Sequence, residues 1–134
     1  MVSDFETSPV LNFPDDGPQD AMIQATLTIV ARRSQRKGVL EALRSLLAPA
    51  AGEVGCLRRC LYEDVETKGS FTFVEEWATA ADLQRRLRSA AYLRLLQIME
   101  LSAEPPEVRF LEVAGAKGME VVYAARELAL DSEG

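Results

Sequence analysis

The sequence predicts an α+β domain, a four-stranded antiparallel sheet with helices on one face. Three observations carry this: four segments in which apolar and polar residues alternate, leucine stripes at spacings of three and four between them, and turn or breaker residues at the junctions. The resulting order is strand, helix, strand, strand, helices, strand. That is the split β-α-β arrangement of a ferredoxin-like fold.

The first strand is "MIQATLTIVA", from Met22 to Ala31, rich in β-branched residues, with Gln24, Thr26 and Thr28 on one face. "SQRKGVLEALRSLL" follows, where Val39, Leu40, Leu43, Leu46 and Leu47 form one amphipathic stripe and Ser34 is placed to cap the helix. This helix is expected to fade between Pro49 and Gly52. "CLRRCLYEDV" sets Cys56, Arg58, Cys60 and Tyr62 against Leu57, Arg59, Leu61 and Glu63. "SFTFVEEW" sets Phe71, Phe73, Glu75 and Trp77 against Ser70, Thr72, Val74 and Glu76, and the charged, glycine-containing link between the two predicts a hairpin.

After Trp77, Thr79 is a plausible cap for "AADLQRRL", and "SAAYLRLLQIMEL" continues as a second short helix or the second half of a bent one. Pro105 and Pro106 forbid further helix, and Val108, Phe110 and Glu112 then alternate with Arg109, Leu111 and Val113 in a last strand. Residues 1–20 hold three of the six prolines and no sustained period, so they read as a flexible tail before a domain spanning 21–115. Residues 116–134 form an extension, read as a short helix, with a strand as the competing reading. A sheet with helices on one face leaves the other to be covered. That face would carry Phe71, Phe73 and Trp77 or their alternates, and a second copy of the same sheet is the expected cover.

Composition narrows the function. A formal charge of −6 with 15 dispersed Lys and Arg disfavours nucleic acid and anionic membranes as partners. No run of ~18 apolar residues is present and the first residues lack a signal-peptide pattern, so a cytoplasmic location is expected. There is no histidine, and Cys56 and Cys60, if on one strand, stand roughly 13 Å apart; they cannot bridge each other and are too few to hold zinc. No cofactor and no metal is expected.

"GCLRRCLYEDVETKGSFTFVEEW" and "LSAEPPEVRFLEV" carry a resemblance to the antibiotic biosynthesis monooxygenase superfamily. Its patterns are a Gly-Cys-Leu followed by Tyr, a charged hairpin turn and a strand ending in Glu-Glu-Trp, over about residues 22–113. The resemblance implies a dimeric α+β barrel, a homodimer with a pocket between each sheet and its helices. It also implies, in active members, oxidation of a phenolic or quinol ring by O2 without metal or flavin. Where many members read H-L-x-S-x-H-F after this strand, the chain reads "RLRSAAY", so Arg86 and Ala91 take the two histidine positions and Tyr92 the phenylalanine position. Asn12 is the only asparagine, so members that use an asparagine, the haem-degrading branch included, match poorly.

Four residues are therefore candidates for a catalytic site: Arg86, Tyr92, Trp77 and Glu75. Arg86 cannot accept a proton near neutrality but can donate to a phenolate or carboxylate; alternatively it is a solvated arginine on the outer helix face. Glu75 is either a general base of raised pKa or the partner of Arg58 or Arg59 on the neighbouring strand. Trp77 offers an indole N–H and an apolar wall, or simply core, and Tyr92 a hydroxyl facing the cavity, or packing. The expected activity is a cofactor-independent monooxygenase acting on a quinol-like or polyphenolic compound. The competing reading is a non-catalytic dimeric module that binds a small aromatic ligand or a protein partner.

Overall fold

The computed structural model describes residues 21–48 and 53–133. The tail read over residues 1–20 lies outside the described residues, and the first helix ends at Ser45, before the Pro49–Gly52 stretch where the sequence reading has it fade. The elements run β1 (Met22–Val30), a 3-10 turn (Arg33–Gln35), α1 (Arg36–Ser45), β2 (Cys56–Glu63), β3 (Ser70–Trp77), α2 (Ala80–Leu87), α3 (Ala90–Met99), β4 (Glu107–Val113) and α4 (Glu120–Glu133). The sheet order is β2-β3-β1-β4 with every neighbouring pair antiparallel, the ferredoxin-like α+β arrangement.

The helices cover the face that bears Leu27, Ile29, Phe71 and Phe73, which pack with Val39, Leu43 and Leu46 of the α1 segment and Leu95 and Ile98 of α3. A second cluster, Ile23, Trp77 and Leu83, sits under α2. Full burial of each such side chain contributes about 1.5–3 kcal/mol, enough to fix the register of the whole sheet. The two short helices α2 and α3 meet at Arg88 and Ser89, and each is capped: Thr79 Oγ1 accepts the Asp82 N–H at 3.1 Å and Ser89 Oγ accepts the Tyr92 N–H at 3.2 Å.

Two local features depart from the sequence reading, and a third decides between alternatives it left open. Ser34 does not cap α1; it lies inside the 3-10 turn, and Gln35 at the N-cap position makes no side-chain capping bond. The β2 alternation is broken by a bulge between Cys56 and Arg58, so Cys56 packs against the Trp77 cluster while Cys60 stays on the opposite face. The open face of the sheet carries the alternates of the β3 aromatics, because Phe71, Phe73 and Trp77 are all turned under the helices. Its rows read Arg58, Glu76, Gln24, Leu111 and then Tyr62, Thr72, Thr28, Glu107, with Thr28 and Thr72 hydroxyls hydrogen-bonded at 2.9 Å. α4 follows β4 after residues 114–119, and its side chains from Glu120 to Leu128 are exposed.

Candidate functional site

One row across the sheet sets the site. Arg59 of β2 stands opposite Glu75 of β3, Glu75 opposite Ala25 of β1, and Ala25 opposite Phe110 of β4. The alternation that buries Phe73 and Trp77 forces Glu75 to the same face, where its side chain is only 3% exposed. A lone carboxylate there would lose several kcal/mol of hydration. Three side chains compensate it, Arg86, Trp77 and Arg59, and a second carboxylate balances the two arginines.

Arg86, from the last turn of α2, donates Nη2 to Glu75 Oε2 at 2.7 Å and Nε to Oε1 at 3.3 Å, a forked contact on one carboxylate. The Trp77 indole donates Nε1 to Oε1 at 3.1 Å. Arg59 Nε lies 2.7 Å from Oε2, with its N–H not aligned on an acceptor. Glu53 completes the set: its Oε1 accepts from Arg59 Nη2 at 2.8 Å, and its Oε2 is 4.0 Å from Arg86 Nη1. Two guanidiniums and two carboxylates cancel formally. The Arg59 guanidinium also lies 5.8 Å from the Trp77 ring centroid, and that of Arg86 lies 5.4 Å from the Tyr92 ring.

This network forms part of the floor of a cleft between the sheet and helices α2 and α3. The walls are Ala25, Leu27, Phe73, Leu83, Leu87, Leu95, Val108 and Phe110, joined by Thr26, Tyr92 and Glu75. The cleft holds about 10 Å³, no more than the space of one water. A ring-sized ligand therefore enters only if side chains that line the cleft move. Burial pushes the Tyr92 hydroxyl above the ordinary tyrosine value; the Glu75 charge adds to this and Arg86 opposes it. The phenol thus stays protonated and available as a hydrogen-bond donor.

All four residues singled out in the sequence meet here. Glu75 pairs with Arg59, one of the two neighbours named for it, whereas Arg58 points to the open face and pairs with Glu76 at 3.5 Å. Arg86 is not a solvated outer-face residue: the turn of α2 that carries it faces the sheet, and its side chain is 3% exposed. Glu53 went unseen, because it precedes β2 in a segment with no period to place its side chain. Among the described residues no group of three or more His, Cys, Asp or Glu is arranged to hold a metal ion.

The fold and site together define a small α+β protein with a helix-covered sheet and a cleft floored by a neutralised ion network. The family model of the antibiotic biosynthesis monooxygenases matches residues 22–97, more than half of the chain, and the chain belongs to that family. It is similar to an uncharacterized protein of Synechocystis, 24% identical over 108 residues that cover 80% of this chain and 73% of that protein. A crystal structure from Pseudomonas aeruginosa is 26% identical with a TM-score of 0.62, covering 72% of this chain and 97% of that one. One from Mycobacterium tuberculosis is 23% identical with a TM-score of 0.63, covering 72% and 97%, a likeness of fold.

Proposed function

We propose that the cleft binds a small phenolic or quinol-like ring and that the protein oxidises it with O2 as a monooxygenase, without metal or flavin. Family membership supports the reaction class. The observation that carries the location is the Glu75 carboxylate, held rigid by Arg59, Arg86 and Trp77 beneath an otherwise apolar cleft that Tyr92 also lines. Apolar walls strip water from the ring and hold it against O2, the orientation and desolvation that a reaction between two small partners needs. Tyr92 donates a hydrogen bond to a ring oxygen, while Arg59, Arg86 and Trp77 act through Glu75 as positioning residues.

The chemistry balances without a further reductant. A quinol and O2 give a hydroxyquinone and water: one oxygen atom forms a new C–O bond on the ring, the other leaves as water, and the ring supplies all four electrons. Glu75 already accepts from three donors, so the two hydrogens the ring loses pass through solvent to the departing oxygen and end in the product water. Under the same proposal the protein is cytoplasmic and pairs as a homodimer through the open sheet face.

The small size of the cleft favours a second reading, a non-catalytic dimeric module that closes around an aromatic ligand. Oxygen uptake with a panel of hydroquinones in chelator-treated buffer separates the two. An enzyme consumes O2 in proportion to protein concentration; a binder leaves the rate at that of autoxidation.

A further inference from the structure

Of the four charged groups under the cleft, only Glu75 borders it. Arg59 and Arg86 stand behind, their side chains 0% and 3% exposed. Most of their donors are committed: Arg86 holds both oxygens of Glu75, and Arg59 reaches Glu53 and the Leu46 carbonyl at 2.8 and 3.4 Å, while its Nε lies against Glu75 without an aligned acceptor. The guanidinium that the sequence offers to an anion is thus already occupied from within the chain.

We infer that Glu75 is the specificity-determining residue of this cleft: it cancels the two guanidiniums where a ligand meets the floor, so that an uncharged ring is admitted and a ring bearing a carboxylate is rejected. The inference rests on the ring-binding reading above and narrows its ligand class. An anion entering the cleft loses its water to walls made of Ala25, Leu27, Phe73, Leu83, Leu95 and Phe110, which return no hydrogen bond. The Tyr92 hydroxyl offers it one donor, but the charged side chain it meets on the floor is another carboxylate. A neutral phenol meets the same oxygens as acceptors and loses little.

The test compares two redox-stable probes of equal ring size, 2-naphthol and 3-hydroxy-2-naphthoate, on the full chain at pH 7. Trp77 is the only tryptophan, so its indole N–H gives one cross-peak in a 15N–1H spectrum, and that proton is hydrogen-bonded to Glu75. The expected result is saturable movement of this peak by 2-naphthol, with the carboxylated probe at least tenfold weaker. Glu75→Gln, which leaves the network one positive charge in excess, should tighten binding of the carboxylate at least tenfold. Where that variant unfolds, Glu53→Gln makes the same change of charge from a partly exposed position and should move the preference in the same direction.

Equal or tighter binding of 3-hydroxy-2-naphthoate by the parent protein overturns the inference, as does an unchanged preference in the folded charge variant. If neither probe moves the indole peak, the cleft binds no ring, and the functional reading falls together with the inference. If 2-naphthol binds selectively while hydroquinones provoke no oxygen uptake, the specificity stands and only the oxidation is wrong.

Discussion

Arg86 Nη2 lies 2.7 Å from Glu75 Oε2, a contact made across eleven residues between the last turn of α2 and the centre of β3. It ties helix to sheet through charge in a region otherwise held by Ile23, Trp77 and Leu83. Breaking one partner of such a buried pair leaves the other uncompensated, which costs about 3–5 kcal/mol. Glu75→Ala, which leaves Arg59 and Arg86 sharing only Glu53, is therefore expected to lower unfolding free energy in urea by about that amount. A loss under about 1 kcal/mol would show that the network is hydrated and contributes little.

Tyr92 gives a pH dependence with a definite sign. Its folded-state pKa is raised, mainly by burial, above the ordinary tyrosine value of about 10. The folded chain then keeps a proton that the unfolded chain gives up, so the contribution is fully present below pH ~10 and is lost as pH rises through the folded-state value. Tyr92→Phe should flatten the fall of stability above pH ~10 relative to the parent, measured by urea unfolding at a series of alkaline pH values. Parallel curves would mean that Tyr92 titrates as a solvated phenol.

How much of this was legible in the sequence follows from what each residue depends on. Strands and helices were, because Phe71, Phe73, Leu43 and Leu83 repeat at the periods their elements impose, and Thr79 announces α2 as a cap. The gathering of Glu75, Trp77, Arg86 and Tyr92 was legible in part, since alternation puts Glu75 and Trp77 on one face. The direction of Arg86 was missed although its spacing of three from Leu83 sets both on the buried face of α2, because an arginine on such a face reads as solvated until a buried carboxylate such as Glu75 is there to hold it. Ser34 and the Leu57 bulge misled because a 3-10 turn and a register shift obey local hydrogen bonding rather than period.

Gly55 makes a sharp stability prediction. Its φ of +83° is left-handed, and a Cβ there would run into the Asp82 side chain, whose carboxylate accepts from Thr79 Oγ1 at 2.8 Å in the cap of α2. Gly55→Ala is expected to cost about 1–3 kcal/mol through backbone strain and the displaced cap. Thermal unfolding unchanged from the parent would show that the loop relaxes without disturbing α2.

Association is expected to involve the open sheet face, where Tyr62 and Leu111 are nearly half exposed beside the Arg58–Glu76 pair. Sedimentation at micromolar concentration should give twice the chain mass. Tyr62→Glu together with Leu111→Glu should yield a folded species of one chain mass, because paired like charges cannot be buried across a symmetric interface. A parent protein that sediments as one chain contradicts this assembly.

The most direct measurement is oxygen consumption by the parent protein and by Ala25→Leu. Ala25 lines the cleft between Glu75 and Phe110, so a leucine there fills the space a ring would enter while every charged group of the network is kept. Overpacking costs about 1–3 kcal/mol, and circular dichroism on both proteins establishes that each is folded. The account expects quinol-dependent uptake above autoxidation for the parent and none for the folded variant. Equal uptake by the two, or none above autoxidation by the parent, contradicts it.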